Sequence, residues 1–78
     1  MTVEQIDVDL VPLRQTRLAV HVRAEDDAAP VWVPKAHFED GGEALEMELE
    51  RRGPGFLRTP RAVTTIMARW SAEDKGFI

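Results

Sequence analysis

The fold of this chain depends most on one stretch, EALEMELE at residues 43–50. Its apolar residues Leu45, Met47 and Leu49 alternate strictly with glutamates. On a strand such alternating positions share one face, whereas on a helix they spread around the cylinder. Alanine, leucine, methionine and glutamate are also good helix formers, so a helix is the open alternative. We interpret the stretch as a strand with its apolar side inward and its carboxylates outward.

Upstream of this stretch, apolar and polar residues alternate in segments typical of half-buried strands. The alternation predicts strands at residues 6–10 and 18–23, and we expect Pro12 to end the first of them. A short β-branched and aromatic run at residues 31–33 lies between two prolines. Because proline cannot donate to a β-ladder, this third strand is expected to be short or to lie at a sheet edge.

Downstream, the turn signal at residues 40–42, Asp-Gly-Gly, separates the third strand from the glutamate-rich stretch. The β-branched run VTTI at residues 63–66 predicts a further strand that continues to Met67. The alternative is one long helix beginning near Pro60. We favour the strand, followed by a helix from about Ala68 that ends at Gly76.

These segments together predict an α+β fold. We expect a small antiparallel β-sheet, or a partly open barrel, of about five strands with one short C-terminal helix. The 78 residues allow a single domain, 1–78, with a small core. The absence of cysteine excludes disulfides and thiolate metal sites and favours a reducing cytoplasm. No apolar run approaches the ~18 residues that a membrane span needs, so we expect a cytoplasmic protein.

Charge is unevenly distributed along the chain. Residues 1–50 contain 12 acids and 4 bases, whereas residues 51–78 contain 6 bases and 2 acids, for a net charge of −4. A fold of this size brings the two regions close together, so it should present an acidic face beside a basic patch. This pattern is typical of a binding surface.

The glutamates of the central stretch are the first candidate site. On a strand, Glu46, Glu48 and Glu50 would lie about 6.6 Å apart in a row, and Glu43 and Asp40 would extend that row. Such a row could contact lysines and arginines of a protein partner and compete with nucleic acid for a basic groove. The alternative is a solvated face that keeps a small sheet soluble and blocks edge-to-edge aggregation.

Arginines after this stretch form the second candidate site. Arg51, Arg52, Arg58 and Arg61 could contact phosphates of a nucleic acid. A pI near 5.0 weighs against this role. The same arginines could instead neutralise the acidic strand within the fold.

The sequence contains no pattern typical of catalysis. We expect no catalytic residue, no cofactor and no metal. The sequence contains one serine, Ser71, and nothing in the sequence indicates a base beside it. His21 and His37 have no partner at metal-ligand spacing, so both are expected at the surface or half-buried. We expect Trp32 and Trp70 to pack in the core, since each brings a large apolar area.

Two segments resemble a family of short proteins encoded by phages and prophages. Residues 31–37, VWVPKAH, are similar to the family's VWLPKSQ turn, and residues 69–78, RWSAEDKGFI, are similar to its C-terminal EWLAEEKGLI. The chain departs from the family at Ala36 and His37, and Ala68 stands where a proline commonly starts the last helix. The resemblance covers about a fifth of the chain. It implies a phage origin and a small β-rich fold closed by a short C-terminal helix.

In size, charge and general character the chain also looks like anti-CRISPR proteins directed at type I systems. That resemblance implies a phage-encoded inhibitor, without enzymatic activity, that binds the Cascade surveillance complex in the bacterial host and blocks binding of target DNA. The alternative is a small phage accessory protein that binds nucleic acid or has a regulatory role. The bound subunit, the CRISPR subtype and the choice between monomer and dimer are not fixed by the residues.

Overall fold

The computed structural model describes residues 3–24, 28–52 and 60–78. In chain order its elements are β1 (Gln5–Gln15), β2 (Ala19–Arg23), β3 (Val31–Pro34), a 3₁₀ turn (Lys35–His37), α1 (Glu43–Arg52), β4 (Val63–Ala68) and α2 (Arg69–Asp74). The strands form one antiparallel sheet in the order β3-β2-β1-β4. The predicted α+β class is therefore confirmed.

The prediction that Pro12 ends the first strand is wrong, because β1 continues to Gln15. β1 pairs with β4 only as far as Leu10↔Val63, so at Pro12 it has β2 as its single strand neighbour. A proline is tolerated at such a position because no ladder bond needs its missing N–H. The register shifts between Pro12 and Arg14, which marks a β-bulge.

The short strand between two prolines is found where the sequence predicts it. β3 lies at one edge of the sheet and pairs with β2 through Val33↔Val20 and Trp32↔His21. At the opposite edge, β4 confirms the strand expected at residues 63–67 and excludes the single long helix. A bridge between Phe38 and Met67 covers part of the outer side of β4.

The prediction of a strand at residues 43–50 is wrong: these residues form α1. The sheet therefore has four strands instead of about five, and the described chain has two α-helices instead of one. Leu45 is fully buried and Leu49 packs against the core, whereas Met47 between them is 62% exposed. The burial thus follows the helical spacing of three to four residues, and the apolar Met47 made the pattern resemble a strand.

The core lies between one face of the sheet and the helices. The buried cluster comprises Val8, Leu10, Val20, Val22, Val33, Phe38, Leu45, Met67 and Ala72. After β4 the chain turns into α2, which begins at Arg69 and ends before Gly76, where φ is +80°. This agrees with the predicted short C-terminal helix and its left-handed glycine stop.

Candidate binding surfaces

The start of α1 is organised by Asp40. Its carboxylate accepts hydrogen bonds from the backbone N–H of Gly42 at 2.8 Å and of Ala44 at 3.0 Å. Gly41 and Gly42 have φ of +71° and +86°, a conformation that glycine adopts without strain. We expected Asp40 to extend a binding surface, and its carboxylate instead satisfies N–H groups that the first helical turn leaves without partners.

The inner side of α1 holds a charged pair in a half-buried setting. Arg51 donates two hydrogen bonds to Glu48, from Nε at 2.8 Å and from Nη2 at 2.7 Å. The Glu48 carboxylate also accepts the backbone N–H of Arg61 at 3.2 Å, and its residue is only 8% exposed. These contacts, chiefly the bonds from Arg51, lower the pKa of Glu48, although burial acts in the opposite direction. Glu48 therefore contributes to the stability of the fold and does not belong to an outward binding surface.

Arg52 also points inward and is 6% exposed. Its Nη2 donates to the backbone carbonyl of Pro12, at the bulge where β1 has lost its β4 neighbour. The arginine thus supplies a partner that the sheet does not provide.

The predicted basic patch is accordingly not assembled as we expected. Arg52 is buried, and Arg51 is engaged with Glu48. Arg61 is exposed, and Arg58 lies outside the described residues. The alternative was that these arginines neutralise acidic residues of the fold. Within the described chain, Arg51 does so by pairing with Glu48.

The outer side of α1 is acidic. We call this surface the acidic helix face and define it by Glu43, Glu46, Met47 and Glu50. Glu46 is half-buried and forms an ion pair with Lys35 at 2.5 Å. Glu43 and Glu50 are exposed and form no ion pair with the described residues. The expected straight row of carboxylates is replaced by a compact acidic patch around an exposed methionine.

The face of the sheet opposite the core carries no helix in the described chain. We call it the open sheet face, and its residues alternate with the core residues of the strands. Its members are Gln5, Asp7, Asp9, Val11, Arg14, Ala19, His21, Arg23, Trp32, Pro34, Thr64, Ile66 and Ala68. Arg14 and Arg23 lie where β1 pairs with β2, and Asp7 and Asp9 lie where β1 pairs with β4.

Cross-strand pairing builds an aromatic and cationic group at one end of the open sheet face. Arg14 pairs with His21 across β1 and β2, and His21 pairs with Trp32 across β2 and β3. The rings of His21 and Trp32 are stacked, with centroids 4.6 Å apart and planes inclined by 18°. The Arg14 guanidinium carbon lies 5.6 Å from the centroid of the Trp32 ring, within cation–π range. We call Arg14, His21 and Trp32 the Trp32 cluster.

The second tryptophan lies elsewhere. Trp70, at the start of α2, contacts the His37 ring edge-on at a centroid distance of 4.7 Å. Trp32 is 40% exposed and Trp70 is 55% exposed, so the prediction that both pack in the core is wrong. Phe38 is the aromatic residue of the buried cluster, and each tryptophan instead contacts a histidine at the surface.

The structure also places a base beside the serine, which the sequence did not indicate. The Ser71 hydroxyl lies 2.8 Å from His37 Nδ1, although 34 positions separate the two residues. Ser71 is fully buried, and a nucleophile needs room for a substrate carbon beside its oxygen. In this arrangement the contact ties the 3₁₀ turn to α2.

The sequence contained a signal for the Trp32 cluster that we did not use. The alternation in the second strand places His21 on the face opposite Val20 and Val22, and Trp32 alternates with Val31 and Val33. The pairing register, which brings Arg14, His21 and Trp32 into one row, depends on the bulge after Pro12 and is not readable from alternation alone.

Within residues 3–24, 28–52 and 60–78, no group of three or more acidic or histidine side chains is arranged to hold a metal ion. In the same part of the chain, no helix has the length and hydropathy that a membrane crossing requires. Comparisons with protein-family models, with curated proteins and with solved structures each give no match.

Proposed function

We propose that this chain is a phage-encoded inhibitor that acts without catalysis, by binding a protein of the bacterial host in its cytoplasm. In its specific form, the partner is a subunit of a type I Cascade complex and the result is an anti-CRISPR activity that blocks target DNA binding. The partner presents a basic surface, because the surface that we assign to the contact is acidic.

The observation that carries the proposal is the acidic helix face. Met47 is 62% exposed between glutamates, on a helix whose other side is fixed to the core by Leu45. Methionine is enriched at protein interfaces and adapts to irregular surfaces. Carboxylates around it would speed encounter with a basic partner, while the apolar contact would lengthen the residence time.

The mode of binding differs from the one that the sequence suggested. An extended row of Glu46, Glu48 and Glu50 lying along a basic groove is ruled out, since the stretch is helical and Glu48 is bonded to Arg51. The proposal now requires a helix that docks through one side, in the manner of a helix in a groove. The phage-like motifs and the size and charge of the chain supply the partner class.

The test is a mobility-shift assay of purified type I Cascade on labelled target duplex, with the protein added in increasing amounts. Glu43→Lys with Glu50→Lys reverses two exposed charges, and we expect the double variant to lose at least tenfold in inhibitory potency. Glu46 is left in place because its ion pair with Lys35 belongs to the fold.

A matched control distinguishes an effect of the acidic helix face from an effect of the protein's net charge. Asp7→Lys with Asp74→Lys changes the total charge equally at two exposed sites away from α1 and should inhibit like the unmodified protein. A thermal melt of both variants checks folding, since lysine in the first turn of a helix costs about 0.3–1 kcal/mol. Equal inhibition by both variants would refute the role of the acidic helix face, and no inhibition by the unmodified protein would refute Cascade as the partner.

A further inference from the structure

We propose that the Trp32 cluster, together with Arg23, is a binding site for single-stranded nucleic acid on the open sheet face. In this site an unstacked base lies on the aromatic surface and the arginines contact neighbouring phosphates. The site lies on β1, β2 and β3, apart from the acidic helix face, so it does not depend on the proposed inhibition.

The first argument is the geometry of the aromatic surface. Trp32 is 40% exposed on an edge strand, and its ring is held by the stack on His21. The neighbouring positions on this face, Ala19 and Pro34, pair with each other and carry small or compact side chains. The stack on His21 orients the ring, and its exposed part beside these compact neighbours suits a planar base better than a branched apolar side chain.

The second argument is charge. Arg14 reaches over the Trp32 ring, and Arg23 lies two positions from His21 on the same face of β2. Neither arginine forms an ion pair with a carboxylate of the described residues. In a chain with a net charge of −4, two cations kept without carboxylate partners beside an exposed tryptophan are complementary to an anion with an aromatic part.

The third argument concerns whether the nucleic acid is single-stranded or double-stranded. Bases inside a duplex are stacked on one another and cannot lie on a protein ring unless they are extruded, at a cost in free energy. Single strands offer their base faces directly, and stacking on an aromatic side chain accepts any base. We therefore expect single-stranded DNA or RNA to bind in preference to duplex, with little sequence preference.

The experiment uses the chain's two tryptophans as separate reporters. Trp70→Phe leaves Trp32 as the sole tryptophan, and Trp32→Phe leaves Trp70. Each variant is titrated with a short oligothymidylate at about 50 mM salt, where electrostatic contacts to phosphate are strong. Emission should be quenched in the Trp70→Phe protein and remain unchanged in the Trp32→Phe protein.

Affinity and salt dependence are then measured by fluorescence anisotropy of labelled oligothymidylate. Trp32→Ala should weaken binding by roughly fivefold to a hundredfold, from the stacking of one base, while Trp70→Ala as a matched control should not. Two phosphate contacts predict a slope of log K against log salt of about −1.4, and Arg14→Gln should bring it to about −0.7.

Several results would overturn the site. No binding of the oligonucleotide, equal weakening by the two tryptophan variants, or an unchanged slope in Arg14→Gln would each do so. Equal competition by a polyglutamate peptide would show that charge alone is recognised, and tighter binding of duplex would contradict the strandedness. Circular dichroism of each variant verifies the fold, and the exposure of Trp32 makes unfolding an unexpected outcome.

Discussion

α1 and β4 are two short segments whose residues allow either a helix or a strand, and they fold in opposite ways. In α1, residues 43–52 alternate in hydrophobicity and yet form a helix. In β4, residues 63–68 have apolar residues at helical spacing and yet form a strand that pairs with β1 from Gln5 to Leu10. The hydrophobic pattern alone therefore does not decide either segment.

The difference lies in local chemistry. α1 is made of strong helix formers and is preceded by the Asp40 cap. It has Glu43 and Glu46 in its first turn and two arginines in its last turn, which suits the helix dipole. β4 begins with four β-branched residues, which favour a strand over a helix. Propensity and capping act together in α1, and they outweigh the alternation of a few apolar side chains.

The most direct test of the helical assignment of residues 43–52 is to truncate Leu45 and Met47 one at a time. A strand would bury both side chains equally, whereas α1 buries Leu45 fully and leaves Met47 62% exposed. Leu45→Ala should lower the free energy of unfolding by about 2–5 kcal/mol, and Met47→Ala should change it by about 0.5 kcal/mol or less. Urea denaturation followed by circular dichroism measures both.

If Leu45→Ala leaves the protein too unstable for a full curve, Leu45→Met provides a milder variant that should cost less than about 1.5 kcal/mol. Similar losses in Met47→Ala and Leu45→Ala would contradict the helical assignment.

Much of the fold was predictable from sequence where pattern and propensity agree. β4, the edge position of β3 and the C-terminal helix ending at Gly76 are such cases. The failures occur where one apolar residue, Met47, is used outside the core, and where Pro12 is tolerated because its neighbouring strand has ended. Both outcomes depend on tertiary neighbours, which local pattern does not contain.

The candidate sites were harder to predict, because charge in the sequence does not say which charges pair. Glu48 and Arg51 were assigned to two opposing surfaces, and they are bonded to each other. Trp32 was expected in the core, and it lies on the open sheet face. The row that joins it to Arg14 depends on strand register, and register is fixed only when the whole sheet forms.

The next largest effect is the difference in stability expected between substitutions at Glu48 and at Glu50. The sequence analysis placed both side chains in one outward row. Glu48→Gln should cost about 1.5–3 kcal/mol at neutral pH, because it removes the charge from a carboxylate that accepts two hydrogen bonds from Arg51. Glu50→Gln, on the exposed side, should be close to neutral. Urea denaturation at pH 7 compares the two variants with the unmodified protein.

The pH dependence of the same pair sharpens this test. The pKa of Glu48 is lowered in the folded protein from the ordinary value of 4.5, so the unfolded chain takes up a proton first as the pH falls. The stabilisation is complete above pH 4.5 and is lost as the pH falls through the lowered folded pKa. The stability gap between the unmodified protein and Glu48→Gln should therefore narrow below about pH 4.5, and a gap that stays constant would refute the pairing.

The smallest expected effect concerns the cap that distinguishes α1 from β4. Asp40→Ala removes the acceptor for the N–H groups of Gly42 and Ala44 and should cost about 1 kcal/mol, typical of a lost helix cap. Asp40→Asn keeps a side-chain oxygen and should recover most of that loss, whereas Asp74→Ala, near the end of α2, should have little effect. Thermal unfolding of the three variants measures the differences. Because the cap bonds act only on the helix, a loss in Asp40→Ala that Asp40→Asn does not recover would mean that charge on this turn, rather than hydrogen bonding, selects the helix over the strand.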